Sequence, residues 1–305
     1  MNSMKHFKTL SEFHEFRQLP KPLHPLISVV DIGAVPQLDD QNPLTMMVDF
    51  YAISIKRMRN VSLIYGQHSF DFSEGILFFI APNQVFSVAV TNNAEAVDRS
   101  GWVINIHPDF IWNTPLAKSI KQYDFWDYSL SEALFLSAKE EATLINIVLA
   151  IQQECSTNID QYSKSIIVSQ LESLLNYANR FYHRQFITRE KANHQVLERL
   201  EMLLDEYFDN ANLAERGLPT VQYVAGCLHL SPKYLSNILR MLTGQNTQQH
   251  IHEKLIRKAK EMLSTTNLTI SEIAYELGFE HLSSFSKLFK SKTNLSPLNF
   301  RTSFN

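Results

Sequence analysis

At 305 residues the chain is about twice the usual single-domain length, and its 45% hydrophobic content can fill two cores, so two domains are expected. No apolar run approaches the roughly 18 residues needed to cross a bilayer, the N-terminal MNSMKHFKTLSEFHEF lacks the apolar stretch of a secretion signal, and only Cys155 and Cys227 are present. These features argue against a membrane span, an exported chain and a disulfide scaffold, and lead us to expect a cytoplasmic protein with reduced thiols, no membrane partner and no zinc site.

The net charge of −3 hides an uneven split: ten Lys and Arg stand against five Asp and Glu from residue 220 onward, and eighteen against twenty-six before it. An acidic module joined to one whose surface meets an anion would give this pattern, as would ordinary patchiness.

In chain order, the first half holds short β-rich runs: ISVVDIG (27–33), MVDFYAISI (47–55), GILFFIA (75–81), VFSVAV (85–90) and GWVINIH (101–107). Turn formers punctuate them, at Pro43, Gly66 with Gln67, Pro82 with Asn83, and a TNN run ending at Asn93. Short strands at this spacing predict a sandwich or small barrel, whose interior can hold a ligand or be filled by side chains.

Beyond Pro108 the period changes. From Lys139, Leu144, Ile147, Val148 and Ile151 recur at three and four residue intervals; from Asp160, Ile167, Leu171, Leu174, Leu175 and Ala178 do the same. Two amphipathic helices are predicted, forming a hairpin that covers the sheet or pairs with another subunit. HRQFITREKAN (183–193) is polar and breaks the period, and is read as the linker.

The second half contains a repeat. VQYVAGCLHLSPKYLSNILRMLT (221–243) can be laid on ISEIAYELGFEHLSSFSKLFKSKT (270–293), so that Val221, Val224, Ala225 and Leu228 fall on Ile270, Ile273, Ala274 and Leu277. After one extra residue in the second turn, Leu235, Leu239 and Thr243 fall on Phe285, Phe289 and Thr293. A reused pair of helices with a tight turn is a helix-turn-helix. Ala225 and Ala274 permit close helix crossing, and Thr220 and Thr269 stand as caps. Gly278 can take the positive-φ turn, where the first copy has His229. Ser231 is the expected cap of one second helix, with Pro232 at its first position, and Ser283 that of the other. Leu235, Leu239 and Leu242, and Phe285, Leu288 and Phe289, are the expected buried faces.

Facing outward are Lys233, Ser236, Asn237 and Arg240 in the first copy, and His281, Ser283, Ser286, Lys287 and Lys290 in the second. Such side chains can hydrogen-bond base edges or neutralise phosphate. Between the copies, HIHEKLIRKAKEML aligns Ile251, Leu255, Ala259 and Met262 and predicts a stiff connector of about four turns, roughly 20 Å long. Two recognition helices so joined could enter successive major-groove faces about 34 Å apart.

The run RKAKEML followed by LTISEIAYELGFEHLSSFSKLFKSKTNLSPLNFR resembles the AraC-type (AraC/XylS) transcription regulators over roughly residues 200–301. Arg257, Ala259, Leu263, Ile273, Ala274, Gly278, Phe279, Phe285, Phe289, Lys290, Pro297 and Arg301 stand where that family's pattern expects such residue types. Asn294 departs from the family's usual Gly, while Gly244 keeps it in the first copy; Asn best tolerates the left-handed conformation that ends a helix. Ile238, Leu239 and Met241 make the first recognition helix less basic than many.

The resemblance implies an α+β chain: a cupin-like effector-sensing domain (1–135), a helical dimerisation hairpin and linker (136–192), and an AraC-type DNA-binding domain (193–305) with motifs at about 220–243 and 269–293. It implies an effector-responsive activator that binds double-stranded promoter DNA, a small-molecule effector, a second copy of itself and RNA polymerase, with no cofactor and no catalytic residues. By that resemblance Lys233, Ser236 and Asn237 contact bases in one groove, His281, Ser283, Ser286 and Lys287 in the next, and Arg240 and Lys290 contact phosphates. No effector-pocket residue is identified.

The rival classes are a cupin-type metal-dependent enzyme with a fused helical domain and a protein-interaction adaptor. A metal site on cupin strands needs several His and a carboxylate, and the strand region offers only His68 and His107, in separate runs. His250 and His252 lie two apart on a helix, point in nearly opposite directions and are read as surface residues. No Gly-rich phosphate loop or G-x-S-x-G elbow is present.

Overall fold

The β-branched and aromatic runs of the first half become strands, paired so that their largest side chains share faces. A computed structural model describes residues 4–35, 44–58, 62–65, 68–71, 75–88, 99–129, 132–157, 160–210 and 213–303. The chain divides into two units, the first ending at Thr188 and the second beginning at Arg189.

In the first unit the described strands are β1 (Lys5–Phe7), β2 (Ile27–Asp31), β3 (Leu44–Val48), β4 (Tyr51–Met58), β5 (Ser62–Tyr65), β6 (His68–Asp71), β7 (Gly75–Ile80), β8 (Val85–Val88), β9 (Arg99–Ile106) and β10 (Leu134–Leu136). They form an antiparallel sheet in the order β10-β7-β4-β9-β2, a three-stranded sheet β1-β3-β8 and a β5-β6 ribbon. The helices are α1 (Leu10–Phe16), α2 (Pro108–Ile111), α3 (Leu116–Ser119), α4 (Ala138–Ser156) and α5 (Ser163–Thr188).

Register shows why the five-stranded sheet is apolar on both faces. Ile53 stands opposite Ile104 on one side and Phe79 on the other, and all three are buried. Phe79 stacks on Phe125 at 4.1 Å, and Phe125 in turn stacks on Tyr182 of α5 at 5.7 Å, so this face is covered by helix. One residue away in register, Ala52 and Ile80 turn to the opposite face and join Phe7, Leu10, Met46, Val48, Phe50 and Phe86 in a second core. A polar chain is buried among the strands. His14 Nδ1 donates to the Pro20 carbonyl at 2.7 Å, the Ser28 hydroxyl lies 3.0 Å from His14 Nε2, and Asn105 donates to Ser28 at 3.3 Å. Because a carbonyl only accepts, Nδ1 carries a proton, and Nε2 shares a hydrogen bond with the Ser28 hydroxyl.

Several sequence expectations need correction. The single strand expected over 47–55 is two, because the chain turns at Asp49, whose N–H donates to Phe7 at 3.0 Å, and Phe50 fills the core at 0% exposure. Strands β1, β5, β6 and β10 are three or four residues long, too short for a period to show. The polar segment 183–193 is helical except at Arg189. It contains no Gly or Pro, and its side chains dock on β10: Gln185 accepts from Phe135 N at 2.8 Å and donates to Ala133 O, while Arg184 donates to Phe135 O and pairs with Glu140, both at 2.7 Å. Pro43, Gly66, Gln67, residues 89–90 of the fourth run and the TNN turn lie outside the described residues.

Of the expected hairpin faces, Leu144, Val148 and Ile151 on α4 and Ile167, Leu171, Leu174, Leu175 and Ala178 on α5 are buried, and Ile147 is half-buried. Full burial of each such Leu or Ile stabilises by about 1.5–3 kcal/mol. Cys155 is half-buried near the end of α4, where burial, followed by the neighbouring Glu154 charge, pushes its thiol up to about 11.

The second unit is helical: α6 (Glu190–Asn210), α7 (Leu213–Arg216), α8 (Val221–Cys227), α9 (Pro232–Thr243), α10 (Thr247–Thr265), α11 (Ile270–Glu276), α12 (Leu282–Thr293) and α13 (Pro297–Thr302). Leu200 and Leu204 of α6, Ile251, Leu255, Ala259 and Leu263 of α10, Leu235 and Leu239 of α9, and Phe285 and Phe289 of α12 belong to one core. Leu263 takes the deep place expected of Met262, which packs at the margin.

Gly101 offers a test of the β4-β9 pairing. It stands opposite Lys56 at φ +132°, where a methyl group would overlap the Ile55 carbonyl oxygen. Gly101→Ala is expected to destabilise the first unit by about 3 kcal/mol, read from urea denaturation of the full chain. A loss under half that value contradicts the strain argument.

Candidate nucleic-acid interface

Each half of the repeat is built by local rules. Thr220 accepts from Tyr223 N at the head of α8, and Thr269 forms a reciprocal box with Glu272 at the head of α11. Backbone N–H donation at Thr269 holds the Glu272 carboxyl below its ordinary range. Between the helices of each motif the chain passes through the left-handed region, at His229 (φ 58°) and at Gly278 (φ 81°). Equivalent φ values at non-equivalent residues have a packing cause. A methyl on Gly278 would stand 2.7 Å from the Leu213 carbonyl oxygen, whereas His229 is exposed. Gly278 is thus needed both for its dihedral and for the close approach of α7, and its counterpart carries only the first demand.

Ser231 caps α9 as expected, accepting from Tyr234 N at 3.3 Å with Pro232 at the first helical position. Ser283 does not cap α12. His281 occupies that place and makes no side-chain cap hydrogen bond, so Ser283 lies inside the first turn. Both recognition helices end in left-handed residues, Gly244 (φ 76°) and Asn294 (φ 61°), as the Asn-for-Gly reading anticipates.

Exposure sorts the expected contact residues. Lys233 and Arg240 on α9, and His281, Ser283, Lys287 and Lys290 on α12, are exposed; Ser236, Asn237 and Ser286 are half-buried. Ser236 differs from the expectation. Its hydroxyl lies 3.0 Å from that of Thr247, which is fully buried at the start of α10. Asn237 Oδ1 accepts from Arg240 Nη1 at 3.1 Å, tying two of the outward side chains together.

The connector α10 is longer than expected, 19 residues or about 28 Å. Its cations do not all face outward. Lys254 pairs with Asp205 of α6, and Lys258 with Asp209 at 3.2 Å. Residues 189–219 carry seven Asp and Glu against four Lys and Arg. The positive excess from residue 220 is therefore largely offset by α6 within the same unit, and what remains for an anion is carried locally by α9 and α12.

His250 and His252 are half-buried rather than surface residues. Thr243 Oγ1 donates to Leu239 O at 2.8 Å, so at 2.9 Å from His250 Nε2 it accepts, and that nitrogen carries the proton. Burial lowers both histidine pKa values, opposed at His250 by Glu253 and reinforced at His252 by Lys292.

In the first unit a cleft of about 130 Å³ lies among His24, Leu26, Phe110, Cys155, Ser163 and Ile167, none of them read from the sequence as lining a pocket. Burial lowers the His24 pKa. His107 Nδ1 accepts from Asp109 N at 3.3 Å, and the His68 side chain is outside those described. Among the described residues no group of three His, Cys, Asp or Glu is placed to hold a metal ion, and no helix is long and apolar enough to cross a membrane.

Paired motifs of this build define a helix-turn-helix DNA-binding unit, and residues 224–303 match the family described as "Helix-turn-helix domain". The arabinose operon regulatory protein of Salmonella typhimurium is 30% identical over 145 residues, 46% of this chain and 47% of that one. The regulator YfiF of Bacillus subtilis is 30% identical over 144 residues, 47% of this chain and 42% of its own. Among solved structures, the C-terminal domain of AraT, a response regulator from Geobacillus stearothermophilus, is 29% identical, covering 35% of this chain and 84% of that one at a TM-score of 0.32. The C-terminal helices are an AraC-family helix-turn-helix domain. The chain spans less than half the length of the two curated relatives.

Two outcomes follow from the local geometry. Gly278→Ala is expected to destabilise the second unit by about 2 kcal/mol or more, and His229→Ala by under 1, in thermal denaturation of the full chain; equal losses contradict the packing cause. For His250 and His252 the folded pKa lies below the unfolded value of about 6.5, so the neutral rings contribute stability that is present above that pH and lost as pH falls through the folded value. The melting midpoint should drop between pH 7.5 and 5.5, and His250→Gln with His252→Gln should flatten that drop.

Proposed function

We propose that the chain is a cytoplasmic, sequence-specific transcription regulator, an effector-responsive activator that places α9 and α12 in adjacent major-groove segments of promoter DNA. The observation that carries this reading is the pair of capped helix-turn-helix motifs on one core, each presenting exposed cations from its second helix. Lys287 is proposed to read a base from α12, together with His281, Ser283 and Ser286, while Lys290 contacts phosphate. On α9, Lys233 and Asn237 are proposed as base contacts.

For the first unit we propose a cupin-like sensing role, supported by the two sheets that enclose an apolar core and by the α4-α5 hairpin that covers the larger one. The hairpin exposes Leu149, Tyr162 and Ile166, which is consistent with pairing to a second copy. A small-molecule effector, a homodimer and RNA polymerase are the partners proposed.

Two phosphate-contacting cations, Arg240 and Lys290, set the expected salt response. Neutralising two phosphates per chain predicts that affinity for a selected promoter fragment falls roughly tenfold between 50 and 200 mM salt. In the same assay Lys287→Ala should cost about 1–3 kcal/mol and relax preference at one base pair. A salt-insensitive complex, or none, sinks the regulator reading; equal loss on all sequences moves Lys287 to phosphate.

A further inference from the structure

We infer that Ser236 is a positioning residue of the first recognition helix: its hydroxyl, paired with that of Thr247, fixes the rotation of α9 against α10. The inference rests on the proposal that α9 enters the major groove.

The two copies of the repeat match bond for bond where the recognition helix ends and the next helix begins. Thr243 Oγ1 donates to Leu239 O and Thr293 Oγ1 to Phe289 O, each at 2.8 Å. Gln245 N donates back to Thr243 Oγ1 at 3.2 Å, and Leu295 N to Thr293 Oγ1 at 3.3 Å. Left-handed Gly244 and Asn294 follow the two helices, and Asn246 and Ser296 cap the next ones. Thr247 and Pro297 open those helices, and both are buried. Within this frame Ser236 of α9 corresponds to Ser286 of α12.

Only one of the two serines is held. Thr247 is at 0% exposure, and its hydroxyl lies 3.0 Å from that of Ser236. Water does not reach the Thr247 hydroxyl, so a rotation of α9 that carried Ser236 away would leave a buried polar group unpaired. Ser236 keeps hydrogen-bonding capacity of its own; the burial of its partner is what makes the contact costly to break. Pro297 has no hydroxyl to offer Ser286.

Three residues further on the contrast recurs. His250 of α10 donates from Nε2 to Thr243 at 2.9 Å, whereas Phe300 of α13 packs its ring on Phe289 at 5.4 Å. α9 thus adds directional hydrogen bonds to the apolar seam, while these positions of the second motif supply apolar contact, which has no direction of its own. If α9 is free to sample other rotations, a smaller fraction of molecules presents its reading face correctly, and apparent affinity falls by that fraction. The bases preferred stay the same, because the side chains that read them are untouched.

The test uses the full chain and a duplex selected by the wild-type protein from a randomised pool. Ser236→Ala is expected to lower the melting midpoint and to weaken binding about fivefold or more, with the selected sequence unchanged. Combining Ser236→Ala with Thr247→Val removes both hydroxyls, so no buried group is left unpaired and the midpoint should recover. Affinity should stay low in that double variant, because the directional tie is still missing; a merely structural pair would regain both. Thr247→Ser keeps the hydroxyl and should bind as the wild type does. Ser286→Ala should leave the midpoint unchanged. The inference is overturned if Ser236→Ala binds within about twofold of the wild type, or selects a different base at one pair. A double variant that regains affinity along with its midpoint overturns it too, as does a Ser286→Ala midpoint that falls as far as that of Ser236→Ala. A wild-type chain that enriches no sequence overturns the regulator reading itself, and the inference with it.

Discussion

Both helix-turn-helix motifs depend on one apolar seam. Ile251, Leu255, Ala259 and Leu263 recur every four residues along α10 and are almost wholly buried, so α10 turns a single stripe toward the core that α9, α11 and α12 share. A helix that buries such a stripe cannot rotate without exposing it, at a cost of about 25 cal/mol for each Å² returned to water. The relative placement of the two recognition helices is thereby a property of packing, and the exposed residues are carried to their places by it. Arg301 supports the same seam from α13, donating to the Leu263 carbonyl at 3.3 Å where the last turn of α10 leaves carbonyls without helical partners.

The seam also explains how the unit distributes its charge. The acidic side of α6 lies against α10, where Asp205 and Asp209 pair with Lys254 and Lys258, themselves one turn apart. These are partly exposed pairs and contribute little stability, on the order of 1 kcal/mol or less each. Their consequence is electrostatic: positive potential is offset along α10 and persists at α9 and α12. A chain with net charge −3 can in this way keep a surface suited to an anion.

The two copies have diverged in the ways their surroundings permit. The second packs aromatic on aromatic, with Phe279, Phe285, Phe289 and Phe300 in successive contacts of 5.4 to 5.8 Å, where the first uses leucines. The second must keep glycine at its turn because α7 presses on it, and the first accepts histidine. At the helix ends the pattern inverts: the first keeps Gly244 and the second accepts Asn294, both left-handed. Each position is constrained by local dihedral and by neighbours, and only where both act is glycine indispensable.

Much of this was legible in the sequence. The periodicity of Ile251, Leu255 and Ala259, the caps Thr220, Ser231 and Thr269, and the left-handed sites at Gly278 and Asn294 follow from rules acting within a few residues, so the repeat and its helices could be read directly. The strand runs were legible for the same reason, except where β1, β5, β6 and β10 are too short to show a period. Other features depend on partners distant in sequence. The helix over 183–188 docks on β10, Ser283 yields the cap position to His281, His250 is drawn into contact with Thr243, and Ser236 is held by Thr247. Local composition determined which elements form and which residues could face DNA; tertiary packing decided which of those side chains remain outward and in what hydrogen-bonding state, because burial and partner geometry are set by residues the local pattern does not contain.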